Sequence, residues 1–165
     1  MKVIEGGVTA AQGFLAAGLS AGIKKGNTKD MAMLYSKVPC EAAGTFTTNI
    51  VKAAPVKWDQ KIVYESEKAQ AVICNSGIAN ACTGEEGFGY CKETAKAASL
   101  ALNIPEDSVL VASTGVIGQQ IPIEKIKKRN RKYGSVTFRK YQCRNTCSRS
   151  NYDNRYRKER NCSSS

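Results

Sequence analysis

Three observations predict an α/β domain over the first 128 residues. Short apolar runs alternate with glycine and polar turns, two of those runs end in clusters of small polar residues, and a longer stretch between them repeats its apolar residues at helical spacing. Asp30–Ser36 (DMAMLYS) and Ala42–Thr48 (AAGTFTT) read as strands, with Pro39 between them limiting regular structure. Ala69–Cys74 (AQAVIC) is a better strand, and it runs into a polar turn at Asn75-Ser76-Gly77. After Gly84, Phe88, Cys91, Ala95, Ala98 and Leu102 keep a spacing of three to four, as the buried stripe of an amphipathic helix does. Asn103 and Pro105 end that helix. Ser108–Ala112 (SVLVA) reads as a buried strand leading into Ser113-Thr114-Gly115. Pro122 suits the first turn of a last helix, IEKIKK, with Ile123 and Ile126 on one face, whose pattern is lost at Arg129.

Charge and composition divide the chain at the same place. Residues 1–128 contain no arginine and carry fourteen lysines against twelve acidic residues, whereas residues 129–165 hold eight arginines and eleven basic residues against two acidic ones. The net charge of +11 therefore sits mainly in the tail, and the nearly neutral body calls for no nucleic-acid partner. The tail has one aliphatic residue, Val136, too little apolar surface to offset the entropy of ordering it. We expect two pieces: 1–128, a folded α/β body, and 129–165, a basic tail that does not fold.

The seven cysteines are an odd number without close regular spacing, which argues against a disulfide framework. Neither a signal-peptide stretch nor a run of membrane-spanning length occurs, so a reduced, cytoplasmic protein is expected. Histidine is absent, which excludes Ser-His-Asp and Cys-His catalysis within this chain and the commonest zinc sites. Chemistry must rest on hydroxyls, backbone amides, carboxylates or amines.

Two segments, Asn75–Gly84 (NSGIANACTG) and Ala112–Gly118 (ASTGVIG), follow strands with small polar residues and glycine. Such segments allow close backbone approach to a ligand, or serve simply as tight turns. Cys82 is a rival nucleophile, but with no histidine or fixed cation nearby it reads as a small semi-buried thiol. Glu85 and Glu86 could act as paired carboxylates, or could favour the dipole at a helix start.

Taken together with Gly7–Phe14 (GVTAAQGF), Ala42–Asn49 (AAGTFTTN), Ala53–Val56 (AAPV) and Val109–Gly118 (VLVASTGVIG), these segments resemble successive blocks of the ornithine acetyltransferase family, the bifunctional glutamate N-acetyltransferases of arginine biosynthesis. The resemblance covers nearly all of residues 3–128 in order; Ile78 stands where the family usually has a second Asn. It implies mixed sheets and helices of the ornithine acetyltransferase type, incomplete in this chain. It also implies a precursor that cuts itself at an Ala-Thr bond, the freed threonine acting as nucleophile with its own amine as base. Acetyl passes from N-acetylornithine to that threonine and on to glutamate, with no metal or bound cofactor. By the same resemblance Thr114 and Gly115 match the pair that stabilises the oxyanion, and the two products of cleavage pair into a heterodimer and then a tetramer. The nucleophilic threonine and the Thr-Thr-Asp-Thr segment that precedes it in the family have no match in this chain, which is therefore expected to be inactive alone.

The tail has a simpler account than function. Back-translated from Arg129 with one nucleotide dropped, it can encode a helix and then Ala-Ile-Met-Thr-Thr-Asp-Thr, the segment that the resemblance requires next. Lys127-Lys128-Arg129 would be an A-rich run in which one extra A is an easy slip, and its removal restores Lys-Lys-Gly. The alternative is an RNA-binding arm of basic residues interleaved with Tyr133, Phe138, Tyr141, Tyr152 and Tyr156. Metal binding by Cys143, Cys147 and Cys162 lacks a fourth ligand.

Overall fold

In a computed structural model, which describes residues 7–26, 28–66 and 68–133, four strands form one sheet in sequence order. They are β1 (Phe14–Leu19), β2 (Met31–Glu41), β3 (Lys68–Ile78) and β4 (Val109–Val116). β1, β2 and β3 pair antiparallel, and β4 lies parallel to β3. The parallel pair needs a long crossover, supplied here by helix α2 (Gly84–Leu102). Helix α1 (Ala54–Glu65) joins β2 to β3, and helix α3 (Ile123–Tyr133) follows β4.

Side chains alternate across the sheet as strand geometry requires. Met31, Met33, Ala71, Ile73, Val109 and Val111 are buried and meet Trp58 and Ile62 of α1 and Cys91, Ala95 and Ala98 of α2 in one apolar cluster. The intervening residues, Ala32, Leu34, Val72, Cys74, Leu110 and Ala112, are only half-buried. One sheet face is thus covered by helices, and the other is apolar and partly open.

Helix α2 carries the predicted stripe, and Asn103 caps its C-terminus in the left-handed conformation at φ 55°. α1 was not among the predicted elements, although Ala54, Pro55, Trp58 and Ile62 line its buried face at helical spacing. Four expectations need correction. Ala42–Thr48 is irregular: the β2–β3 ladder ends at the pair Glu41↔Lys68, and strand-forming residues without a partner strand do not hold a strand. Pro39 does not end β2, because the register shifts between Tyr35 and Cys40 and a bulge accommodates a residue with no N–H to donate. Asn75-Ser76-Gly77 and Ser113-Thr114-Gly115 are not turns but the continuation of β3 and β4. Finally α3 runs past Arg129 to Tyr133. The rest of the tail, with its aromatic and cysteine residues, lies outside the described residues.

Candidate functional site

The C-terminal ends of β3 and β4 lie side by side, with Asn75 opposite Ser113, Ser76 opposite Thr114 and Gly77 opposite Gly115. The two glycines hold φ at 121° and 136°. A Cβ on Gly115 would lie 2.2 Å from the carbonyl carbon of Gly77, so only glycine permits the strands this approach. Asn75 ties the pair together: its amide nitrogen donates to the Ile78 carbonyl at 2.9 Å, and its oxygen accepts from the Ser113 hydroxyl at 2.6 Å.

Past Ile78 the chain turns into α2 through three left-handed residues, Asn80, Cys82 and Gly84. Asn80 is fully buried and organises the turn, donating to the Gly87 carbonyl at 2.8 Å and accepting from the Thr83 hydroxyl at 2.8 Å. Gly87 must be glycine, since an added Cβ would sit 2.0 Å from Thr83 Oγ1. The turn is bound back to β4 by Ala79 N–H to the Val116 carbonyl, 2.9 Å, and Gly118 N–H to the Ala81 carbonyl, 2.8 Å. A cleft of about 370 Å³ opens beside it, lined among others by Val51, Lys52, Lys57, Cys82, Thr83 and Glu85.

Asp30 supports the same strand ends from the opposite side. Its carboxylate accepts from the backbone amides of Ala21, Ile23 and Lys24 at 2.5, 2.7 and 2.9 Å, and its own carbonyl accepts from Ser76 N–H at 2.8 Å. The loop held in this way packs on Gly77, where a Cβ would meet Ile23 Cγ2 at 2.8 Å. Asp30 was read only as the start of a strand; its amide partners lie six to nine residues upstream, in no recognisable spacing.

The two predicted segments therefore meet in space. Thr114 and Gly115 are adjacent and exposed at the end of β4, where Val116 and Ile117 are also exposed. Ile78 is buried in the core, and its carbonyl rather than its side chain serves the Asn75 network. Cys82 is exposed rather than semi-buried, because the left-handed turn carries it outside the core. Cys91 is the buried thiol: burial, reinforced by the charge of Asp59 and opposed by the Asn80 amide, pushes its pKa up to about 12 and leaves it a poor nucleophile. Glu85 and Glu86 occupy the first turn of α2, and Glu86 accepts from the Tyr90 hydroxyl, which holds that phenol above its ordinary pKa. Among the described residues no group of His, Cys, Asp and Glu is arranged to hold a metal ion, and no helix is long and apolar enough to cross a membrane.

This mixed sheet with its crossover helix is the architecture of solved acetyltransferases. The ornithine acetyltransferase of Mycobacterium tuberculosis, whose structure was determined with ornithine, superposes with a TM-score of 0.73 at 44% identity over 77% of this chain and 68% of that one. The arginine biosynthesis bifunctional protein ArgJ of Bacillus halodurans gives 0.72 at 41% identity, over 75% of this chain and 64% of that one. Residues 15–147 match the ArgJ family, and the chain belongs to it. The arginine biosynthesis bifunctional proteins ArgJ of Gloeobacter violaceus and Thermotoga neapolitana are 51% and 50% identical over 124 and 117 residues, which are 75% and 70% of this chain. The chain spans about 30% of the length of these curated relatives.

Proposed function

We propose that residues 1–128 are the N-terminal part of a glutamate N-acetyltransferase of arginine biosynthesis, and that residues 129–165 are the same gene read out of frame. The observation that carries the enzymatic reading is the junction of β3 and β4, where the Gly77–Gly115 contact and the Asn75–Ser113 hydrogen bond hold Thr114 at an exposed strand end. In the complete enzyme the threonine freed by self-cleavage attacks the acetyl carbonyl of N-acetylornithine. The carbonyl electrons move onto oxygen, and Thr114 and Gly115 donate to that oxyanion. The threonine's own amine takes its hydroxyl proton and returns it to the departing nitrogen, so collapse releases ornithine and leaves acetyl-threonine. The amine of glutamate then attacks that ester carbonyl through a second oxyanion at the same place, the ester bond breaks, and N-acetylglutamate leaves as the threonine is freed. A preorganised donor of this kind contributes about 3–4 kcal/mol of barrier lowering, since it needs no reorganisation as charge develops. The reaction uses no cofactor, and the enzyme works in the cytoplasm as a tetramer of two α and two β chains.

The half-open sheet face supports the reading of an incomplete enzyme. Leu34, Val72 and Leu110 form an apolar row across β2, β3 and β4, each only half-buried, which suits packing against the remainder of the enzyme.

A graft tests the proposal. Residues 15–128 replace the matching segment of the Gloeobacter relative, and acetyl transfer from N-acetylornithine to glutamate is measured. The hybrid is expected to turn over, and Thr114→Val within it to lower kcat by about 10²–10³. The 165-residue chain alone is expected to show no transfer. A folded but inactive hybrid, an unaffected Thr114→Val, or transfer by the chain alone would each overturn the reading.

A further inference from the structure

Asn130 is fully buried, at 0% exposure, on the face of α3 that packs against α2. Its amide nitrogen reaches the Thr94 carbonyl at 3.2 Å, and its oxygen has no hydrogen-bond partner. A buried polar atom left unpaired forfeits its hydrogen bonds to water without replacing them, and nothing in the site described above makes use of this one. Its position is telling: Ile123, Ile126 and Asn130 follow each other at steps of three and four, so residue 130 continues the apolar stripe of α3.

The genetic code narrows what a shifted frame could place there. Asn codons end in AT or AC and Arg codons begin with A or C, so the codon at 130 read one base later encodes Ile or Thr and nothing else. The same step across Tyr133-Gly134 allows Met or Thr, and across Thr137-Phe138 it allows Leu, Pro, His or Arg. Ile, Met and Leu at 130, 133 and 137 would extend the stripe from 123 and 126 with unbroken spacing. The ion pair of Lys127 with Glu93 and the Asn130–Thr94 bond show α3 advancing along α2 in the same direction. A groove of about 580 Å³ runs between the helices, lined from Glu93 and Lys127 along to Lys96, Ala97, Leu100 and Arg131 among others, in which Leu100 is 76% exposed.

We propose that position 130 is an aliphatic seat, that the gene specifies Ile there, and that α3 of the intended protein continues as an amphipathic helix whose apolar side covers the Ala97–Ala101 end of α2. This deepens the frame reading given above, and one independent observation carries it, the burial and missing partner of Asn130, with which the choices open to the shifted codons are compatible. The frame turns before Asn130, in the lysine-coding run.

Two measurements test it. Urea unfolding of the 165-residue chain is followed by the fluorescence of its one tryptophan, Trp58. Asn130→Ile is expected to raise the midpoint by roughly 0.3–1 M, and Asn130→Thr to raise it by less. An unchanged or lowered midpoint for Asn130→Ile overturns the proposal. Sequencing of the gene across codons 125–138 is independent of folding. The shifted frame is expected to read Ile at 130 and Met at 133 without a stop at 136; Thr at 130, or a stop, overturns the proposal. The hybrid described above ends at residue 128, so its activity does not depend on position 130 and the enzymatic reading and this proposal fail separately. A stop in the shifted frame overturns the frame reading as well, whereas Thr at 130 or an unchanged midpoint for Asn130→Ile overturns this proposal alone.

Discussion

Gly115 and Gly77 each sit opposite the other at the ends of β4 and β3, and the cost of a side chain differs between them. At Gly77, where φ of 121° already disfavours a side chain, an added Cβ meets the Ile23 side chain at 2.8 Å, so a side chain rather than backbone must shift. At Gly115 it meets the Gly77 backbone at 2.2 Å, and φ of 136° is unfavourable for any residue with a Cβ. Gly115→Ala is therefore expected to part the strand ends and to destabilise the chain by at least about 3 kcal/mol. The check is urea unfolding of the variant, and a midpoint equal to that of the parent chain would refute this account of the glycine pair. The segment around Thr114 stands out in the sequence because small polar residues and glycine close an apolar run, whereas Thr114 itself is singled out only by the family resemblance; Asn75 and Asn80 read as polar residues of a turn and Asp30 as the first residue of a strand. What gives them weight is burial, and burial is a property of the fold.

At the scale of the element, α1 does two things at once. It covers the core with Trp58 and Ile62, and it covers the free edge of β4, where unpaired backbone groups would otherwise face the interior. Trp58 Nε1 donates to the Val109 carbonyl at 3.0 Å, and Asp59 accepts from Val111 N–H at 2.8 Å. Desolvation pushes the Asp59 pKa up to about 6, the Val111 hydrogen bond opposing it. A carboxyl whose pKa is higher in the folded state than its ordinary 3.8 favours folding at low pH, and the cost of ionising it grows as pH rises from about 4 to about 6. Asn in its place keeps an acceptor for Val111 and carries no charge. Relative to the parent, Asp59→Asn is expected to gain about 1–3 kcal/mol between pH 4 and pH 7. Urea midpoints of both proteins at the two pH values decide this, and an equal difference at pH 4 and pH 7 would show that Asp59 is not desolvated as described.

For the molecule as a whole, the uneven covering of the sheet governs behaviour. Ala32, Leu34, Val72, Cys74, Leu110 and Ala112 offer a half-open apolar face with no charged residue among them. Apolar surface of that kind on an isolated chain invites association. Residues 1–128 are expected to bind a hydrophobic dye and to associate at micromolar concentration, as followed by light scattering. A cooperative melt of a monomer without dye binding would mean that the face is adequately covered as it stands.

The amino-acid order by itself determined what acts within a few residues. The stripe of α2 and its Asn103 stop, the apolar runs of β3 and β4, and the change of composition after Lys128 are all local patterns of polarity or backbone preference. Tertiary structure alone decided what depends on chain segments returning to one another. The Ser113–Asn75 bond spans 38 residues and the Val111–Asp59 bond 52, and no local rule pairs such positions. The same holds for the two apparent turns, which became strands because each found the other as its parallel neighbour, and for Ala42–Thr48, which found none. Strand-forming residues specify only that an extended segment is acceptable. Whether it forms, and whether a threonine at its end becomes part of a site, depends on a second backbone lying close enough to bond to it.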